Sequence, residues 1–372
     1  MDRAKALVEK LFRESDIEIN GSRPWDIRVH NEDLYRAIVR GGSLAFGEAY
    51  MAGDWDSDQL DELIAHLFRS RVVEKARVSF GNVAAYLSAL GKRRGAKSHA
   101  FDIGMHHYDI GNDLFERMLD KRMVYTCAYW AKAKTLDEAQ EAKLDLVCRK
   151  IGLRAGQHVL DIGCGWGSFG KFAAEKYGAR VTGITVSKEQ VALGRELCKG
   201  LPVEFRLQDY RDVKGEFDHI ISLGMFEHVG AKHYKEYIDV VHDHLKDYGL
   251  FLLHTIGANA NQGPPDAWID KYIFPNGNVP SVAQIASAVE GRFVMEDWHN
   301  FGADYDKTLM AWFKNFDTHW PEIAPKYGEA FYRMWKYYLL ACAGSFRART
   351  NIELWQVVLS KNGVAGGYRS VR

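Results

Sequence analysis

The sequence predicts an α/β fold: a doubly wound, mostly parallel seven-stranded sheet with a small, mainly helical N-terminal accessory domain. Three observations predict it. From about residue 143 to 257, short apolar runs alternate with segments of helical spacing, the order of a parallel sheet with crossover helices. The first of these runs ends in the glycine-rich turn 161-DIGCGWGSFG-170, the way a strand hands over to a helix at a ligand site. Residues 1–95 contain no such strand, glycine turn and helix, so they form a separate accessory domain, with residues 96–372 as the main, sheet-bearing domain.

Within the accessory domain, short helices and a small hairpin around IEINGSRPWDIRV are expected. The opening MDRAKALVEKLFRE mixes charge with apolar residues at helical spacing, unlike a secretory signal. Residues 71–100 carry Arg71, Lys75, Arg77, Lys92, Arg93, Arg94 and Lys97 against one acid, Glu74. Ala76, Phe80, Val83, Leu87 and Leu90 recur there at intervals of 3 and 4, an amphipathic-helix period that Gly81 weakens. Two readings stand. One is a helix lying on an anionic membrane surface, each basic side chain contributing roughly 1 kcal/mol; the other is a solvated linker helix.

The strands of the sheet follow in order. HVLDIG (158–163), ARVTGIT (179–185), PVEFRLQD (202–209), FDHIISLGM (217–225) and GLFLLHTIG (249–257) supply five. After a Gly/Pro-rich loop come a helix over 281–290, a strand around FVMEDWHNF, aromatic helices over 305–345 and a last strand, NIELWQVVLSK. Tyr327, Phe331, Tyr332, Trp335, Tyr338, Leu339 and Cys342 fall at helical spacings, a stripe that reads as core before it reads as ligand wall.

Composition narrows the function. Lysine plus arginine equals aspartate plus glutamate, 49 against 49, so no global field draws the chain onto nucleic acid. Cysteines 127, 148, 164, 198 and 342 are scattered and odd in number, which predicts reduced thiols in the cytoplasm rather than a disulfide or zinc framework. No run of about 18 apolar residues occurs, so membrane contact would be peripheral, on the inner face. His219, His228, His233, His242, His244 and His254 crowd one region without HxxxH or HExxH spacing, and no metal is expected.

Gly165, Gly167 and Gly170 satisfy the dinucleotide pattern GxGxxG. That pattern wants an acid about twenty residues on, where Thr185 stands instead. An acid precedes the glycines, Asp161, giving DxGxGxG. This resembles the first motif of S-adenosylmethionine-dependent methyltransferases of the class I fold, in which an acid after the third strand, here Asp209, approaches adenine.

Further stretches sharpen the resemblance: 107-HYDIGNDLF-115, 125-YTCAYW-130, 225-MFEHVG-230, 271-KYIFPNG-277 and 297-DWHNFGADYDKTLMAW-312. With DIGCGWG they are similar, over essentially the whole chain, to the cyclopropane-fatty-acyl-phospholipid synthase family. The resemblance implies transfer of a methylene carbon from S-adenosylmethionine to a cis double bond of phospholipid acyl chains, in a homodimer. It implies cofactor contacts at Tyr108, Tyr125, Thr126, Asp161, Gly163, Gly165, Thr185, Gln190, Gln208 and Asp209. It also implies a bicarbonate ion held by Glu227, His254, Tyr305, Cys127 and Ile256, the last two largely through backbone. That ion would remove a proton from a carbocation so that the ring closes. A fatty-acyl C-methyltransferase giving a branched or methylene product remains as the alternative, and a non-catalytic lipid-binding derivative as a third reading, against which the intact glycine turn speaks. Trp312 and Phe274 could flank the cation or simply fill the core.

Overall fold

The structure, a computed structural model, describes residues 3–71, 111–261, 263–350 and 352–372. Tyr108 and all of the basic stretch beyond Arg71 lie outside the described residues. The chain opens with α1 (Arg3–Glu14), β1 (Arg28–Val29), α2 (Asp33–Ala52), β2 (Trp55–Asp56) and α3 (Leu60–Arg69). Next come α4 (Asn112–Met118), α5 (Leu136–Lys150), β3 (His158–Ile162), α6 (Ser168–Tyr177), β4 (Arg180–Thr185), α7 (Lys188–Leu197), β5 (Val203–Leu207) and β6 (Phe217–Leu223). The rest is α8 (Tyr234–His244), β7 (Leu245–Ala258), α9 (Ala267–Tyr272), α10 (Val282–Val289), β8 (Val294–Asn300), α11 (Ala303–Tyr327), α12 (Glu329–Ala348) and β9 (Ile352–Ser360).

Strands β3 to β9 form the expected seven-stranded sheet, in the order β5-β4-β3-β6-β7-β9-β8. The pairs β3–β4, β3–β6, β4–β5 and β6–β7 are parallel, and β8 runs antiparallel to β9. Alternation explains why these segments are almost wholly apolar. Leu160, Ile220, Phe251 and Leu253 feed the core on one face, while Val159, Ile221, Leu250 and Leu252 feed the core on the other. A sheet covered on both faces needs apolar residues at odd and even positions alike. Because β3 has β4 on one side and β6 on the other, the strand order reverses there, and the crevice at the carboxyl ends is where such sheets bind ligands.

The chain forms two compact units: residues 1–92 with 263–275 and 305–352, and residues 93–262 with 276–304 and 353–372. The helical unit thus gathers three stretches of chain, where the sequence reading drew one boundary after residue 95. Packing inside that unit accounts for it. Gly344 of α12 leaves no room for a Cβ against the backbone of Asp61 and Ala65 in α3. Arg347 then reaches Asp61 at 2.6 Å, Glu62 at 2.8 Å and Asp306 at 2.9 Å. Trp268 of α9 fills the space over Gly47 of α2 and meets the Tyr337 ring at 4.6 Å. The aromatic stripe is core in part: Trp335, Tyr338 and Leu339 are buried, while Tyr327, Phe331, Tyr332 and Cys342 are half-buried, with Phe331 stacked on Trp335.

The hairpin expected around IEINGSRPWDIRV does not form. Strand β1 pairs antiparallel with β2, Arg28 opposite Asp56 and Val29 opposite Trp55, and the segment keeps one isolated bridge, Ile19 to Ile27. The buried Asp26 carboxylate is the cause. It accepts from the amides of Glu18 at 2.8 Å and Arg23 at 2.9 Å and from the Arg23 guanidinium, so the loop closes around a side chain instead of a ladder. No helix among the described residues is long and apolar enough to cross a membrane.

Candidate active site

A cavity opens at the carboxyl ends of β3, β4 and β6 in the sheet-bearing unit. Every described residue expected to hold the cofactor lines it: Tyr125, Thr126, Asp161, Gly163, Gly165, Thr185, Gln190, Gln208 and Asp209. Gly163 and Gly165 adopt φ of 80° and 55°, the left-handed region that glycine enters without strain. A Cβ at Gly163 would stand 2.7 Å from Met225 Cβ, so this glycine lets the turns after β3 and β6 meet. A Cβ at Gly165 would meet nothing within 4 Å: the backbone is bare where a ligand can lie against it.

Local hydrogen bonds set the rest of the lining. Ser187 caps α7 by accepting from the Gln190 amide, and the Thr185 hydroxyl donates to Gln190 Oε1 at 2.6 Å. Asp209 follows β5, two strands from β3, which spreads the lining over about 10 Å of strand ends. Its carboxylate already meets the Arg211 guanidinium at 3.1 Å. Asp161 is different. It is buried, its Oδ1 finds no partner among the described residues, and burial pushes its pKa up to about 7 against the pull of Lys143.

Lys143 was not anticipated. It lies on the buried face of α5 with Gln140, Leu144 and Val147, and its Nζ donates to Thr126 Oγ1 at 2.7 Å. Burial lowers its pKa to about 8, opposed by the charge of Asp120. Gln140 donates to the carbonyl of Thr126 at 2.9 Å, so one helix face fixes both the backbone and the hydroxyl of this residue. A lysine at an apolar-face position of a helix was the available signal.

A second polar centre is built where β6 and β7 end. Glu227 sits in the short helical turn Phe226–His228 after β6. Its Oε1 accepts the Ile256 amide at 2.7 Å, while Oε2 is buried without a partner among the described residues. Burial pushes this carboxyl up to about 7, the Ile256 bond opposing. His254, opposite Leu223 in the ladder, is likewise buried. Its Nδ1 lies 3.3 Å from Gln356 Nε2, and its Nε2 has no partner among the described residues. Burial, then the charges of Lys143 and Lys150, hold its pKa well below 6.5, so the ring is neutral.

Cys127 is fully buried in the same unit, with its thiol 3.3 Å from the Ala128 carbonyl. Cys127, Glu227, His254 and Ile256 do not themselves line the cavity, but Thr126, Met225 and His228 beside them do. Tyr305 belongs to the other compact unit, where it packs on Phe346 at 4.5 Å and Trp312 at 6.1 Å. Of the other crowded histidines away from the cavity, His219 accepts the Leu250 amide, His233 and His242 meet Glu236 and Asp243, and His244 Nδ1 lies 2.6 Å from the Gly215 carbonyl.

Residues 96–357 match the family model for mycolic acid cyclopropane synthetase. Cyclopropane-fatty-acyl-phospholipid synthase of Escherichia coli (strain K12) is 50% identical over 366 residues, covering 98% of this chain and 95% of that protein. A probable fatty acid methyltransferase of Pseudomonas putida is 38% identical over 269 residues, 69% of this chain and 68% of its own. Among solved structures, a cyclopropane synthase from Mycobacterium tuberculosis superposes with a TM-score of 0.66 at 31% identity, covering 70% of this chain and 98% of that one. A mycolic acid cyclopropane synthase complexed with SAH and CTAB gives a TM-score of 0.65 at 32% identity, with the same coverage of 70% and 98%.

Proposed function

The chain belongs to the mycolic acid cyclopropane synthetase family, and from that premise we propose that it transfers a methylene carbon from S-adenosylmethionine to a cis double bond of a phospholipid acyl chain, closing a cyclopropane ring. The observation that carries this reading is a pair of buried polar atoms without partners among the described residues, Glu227 Oε2 and His254 Nε2, in the unit that holds the glycine cradle.

The lining fits the cofactor. Gly165 would receive the methionine part against bare backbone, with Gly163 beside it, Asp161 offers an unpartnered carboxylate oxygen, and Thr185, Gln190, Gln208 and Asp209 would hold ribose and adenine. Tyr125 and Thr126, with Tyr108, would cover it. When bound, S-adenosylmethionine supplies an electrophilic sulfonium methyl carbon. An alkene is a weak nucleophile, so the chain's main contribution is position: a cradle made of backbone cannot change rotamer.

The second centre would hold a small oxyanion. Bicarbonate, when bound there, would supply a base and a counter-charge. Glu227, anchored through Oε1 on Ile256, would meet it with Oε2, and His254 would meet it with Nε2. Cys127 and Ile256 complete the proposed set within this unit. A carboxyl with a pKa near 7 can keep its proton when an anion enters, which avoids two bare negative charges in a desolvated site. Substrate would be met at an anionic membrane surface, a reading supported by the basic side chains of residues 71–97.

Mass spectrometry of lipids from an expressing host tests the function. The expected product is heavier by one CH2 and resists hydrogenation. A product that takes up hydrogen would replace the cyclopropane synthase with a C-methyltransferase that stops at a methylene.

A further inference from the structure

We propose that Gln356 is a positioning residue that sets the tautomer of His254, so that the neutral imidazole offers an N–H, and not a lone pair, to the anion. The proposal rests on the oxyanion reading of the second centre.

Gln356 is fully buried on β9 among Trp355, Val357, Val358 and Leu359, all of them buried and apolar. A primary amide in such a strand is costly unless it is hydrogen-bonded. Strand β9 is the neighbour of β7 in the sheet, and Gln356 Nε2 stands 3.3 Å from His254 Nδ1. An amide nitrogen carries only hydrogens to offer, so it donates and Nδ1 accepts. A neutral imidazole that accepts at Nδ1 carries its one proton on Nε2. That nitrogen is the one buried without a partner among the described residues.

Three features hold the arrangement. The ring stays neutral because burial and the nearby Lys143 and Lys150 charges all disfavour a second proton. The Phe301 ring meets the imidazole at 5.9 Å and 61°, and the Phe301 amide is tied to the Leu354 carbonyl at 3.1 Å, two residues from Gln356. The opposite tautomer would set Nδ1–H against the Gln356 amide hydrogens and turn a lone pair toward an anion. Gln356 does not line the cofactor cavity, and its route to the site is His254.

The test reads the tautomer directly. Protein with 15N-labelled histidine, His254 being assigned through a His254→Asn variant, is examined by long-range 1H–15N NMR in the wild type and in Gln356→Glu, and 13C-bicarbonate is titrated into both. The wild type is expected to show Nε2–H. In Gln356→Glu a carboxylate accepts from Nδ1–H, so the proton moves to Nδ1, and bicarbonate binding weakens by about tenfold or more. S-adenosylmethionine binding, measured on the same samples, stays within about twofold, a separation that general unfolding would not give. A wild-type Nδ1–H signal overturns the proposal without any variant, because it means the amide oxygen faces the ring. An Nε2–H signal that persists in Gln356→Glu also overturns it. A tautomer that moves while bicarbonate binding does not overturns the anion site at His254 instead.

Discussion

The Ile256 amide donates to Glu227 Oε1 at 2.7 Å, and the other oxygen of the same carboxylate, Oε2, is buried without a partner among the described residues. One oxygen anchors the group and the other is free to act. Such a division separates orientation from binding, because Glu227 does not line the cofactor cavity.

Glu227→Ala is therefore expected to lower kcat by about 10²- to 10⁴-fold, the range for loss of a positioned proton-handling group. Cofactor affinity should stay within about threefold. Steady-state kinetics and titration calorimetry on the same preparation check it. Equal losses in turnover and affinity would place Glu227 against the cofactor instead.

The same carboxyl should leave a mark on stability. Burial raises its pKa from 4.5 to about 7, so between those values the native state binds more protons than the unfolded state, and stability falls as pH rises. The cost is absent below 4.5 and complete above about 7. Glu227→Gln removes it. The stability of this variant relative to the parent is expected to grow by up to on the order of 3 kcal/mol across that window and to be flat outside it. Chemical denaturation at a series of pH values measures this; a difference independent of pH would mean the carboxyl is not desolvated.

Lys143→Met keeps the length of the side chain but removes both the donor to Thr126 and the positive charge that opposes the rise at Asp161. A hydrogen bond from a charged group contributes roughly 1.5 to 3 kcal/mol, so cofactor affinity should fall by about tenfold or more. Stability should change less, since an expensive buried ammonium is replaced by an apolar chain. Calorimetry with S-adenosylmethionine decides, and unchanged affinity would make Lys143 a packing residue only.

The sheet was legible because its physics is local. Strands buried on both faces must be apolar throughout, and an acid ahead of a glycine turn marks the place where the first strand ends. Strand β1 was not legible: two residues carry no period, and the acid that shapes its loop, Asp26, looks like any other loop acid until its three partners are seen. Of the site residues, Lys143 and Gln356 showed only as polar breaks in apolar patterns. Their meaning lies in partners that folding supplies, Thr126 at a separation of 17 residues and His254 at 102.

The interleaving of the two units has a genetic consequence. The helical unit is not a cassette that can be gained or lost at one end of a gene. Deleting codons 1–92 would leave Arg347 with Asp306 alone of its three acids and strip α12 of the backbone against which Gly344 rests. Yet α12 cannot be discarded with them, because the codons that follow it encode β9, and with it the glutamine that faces His254.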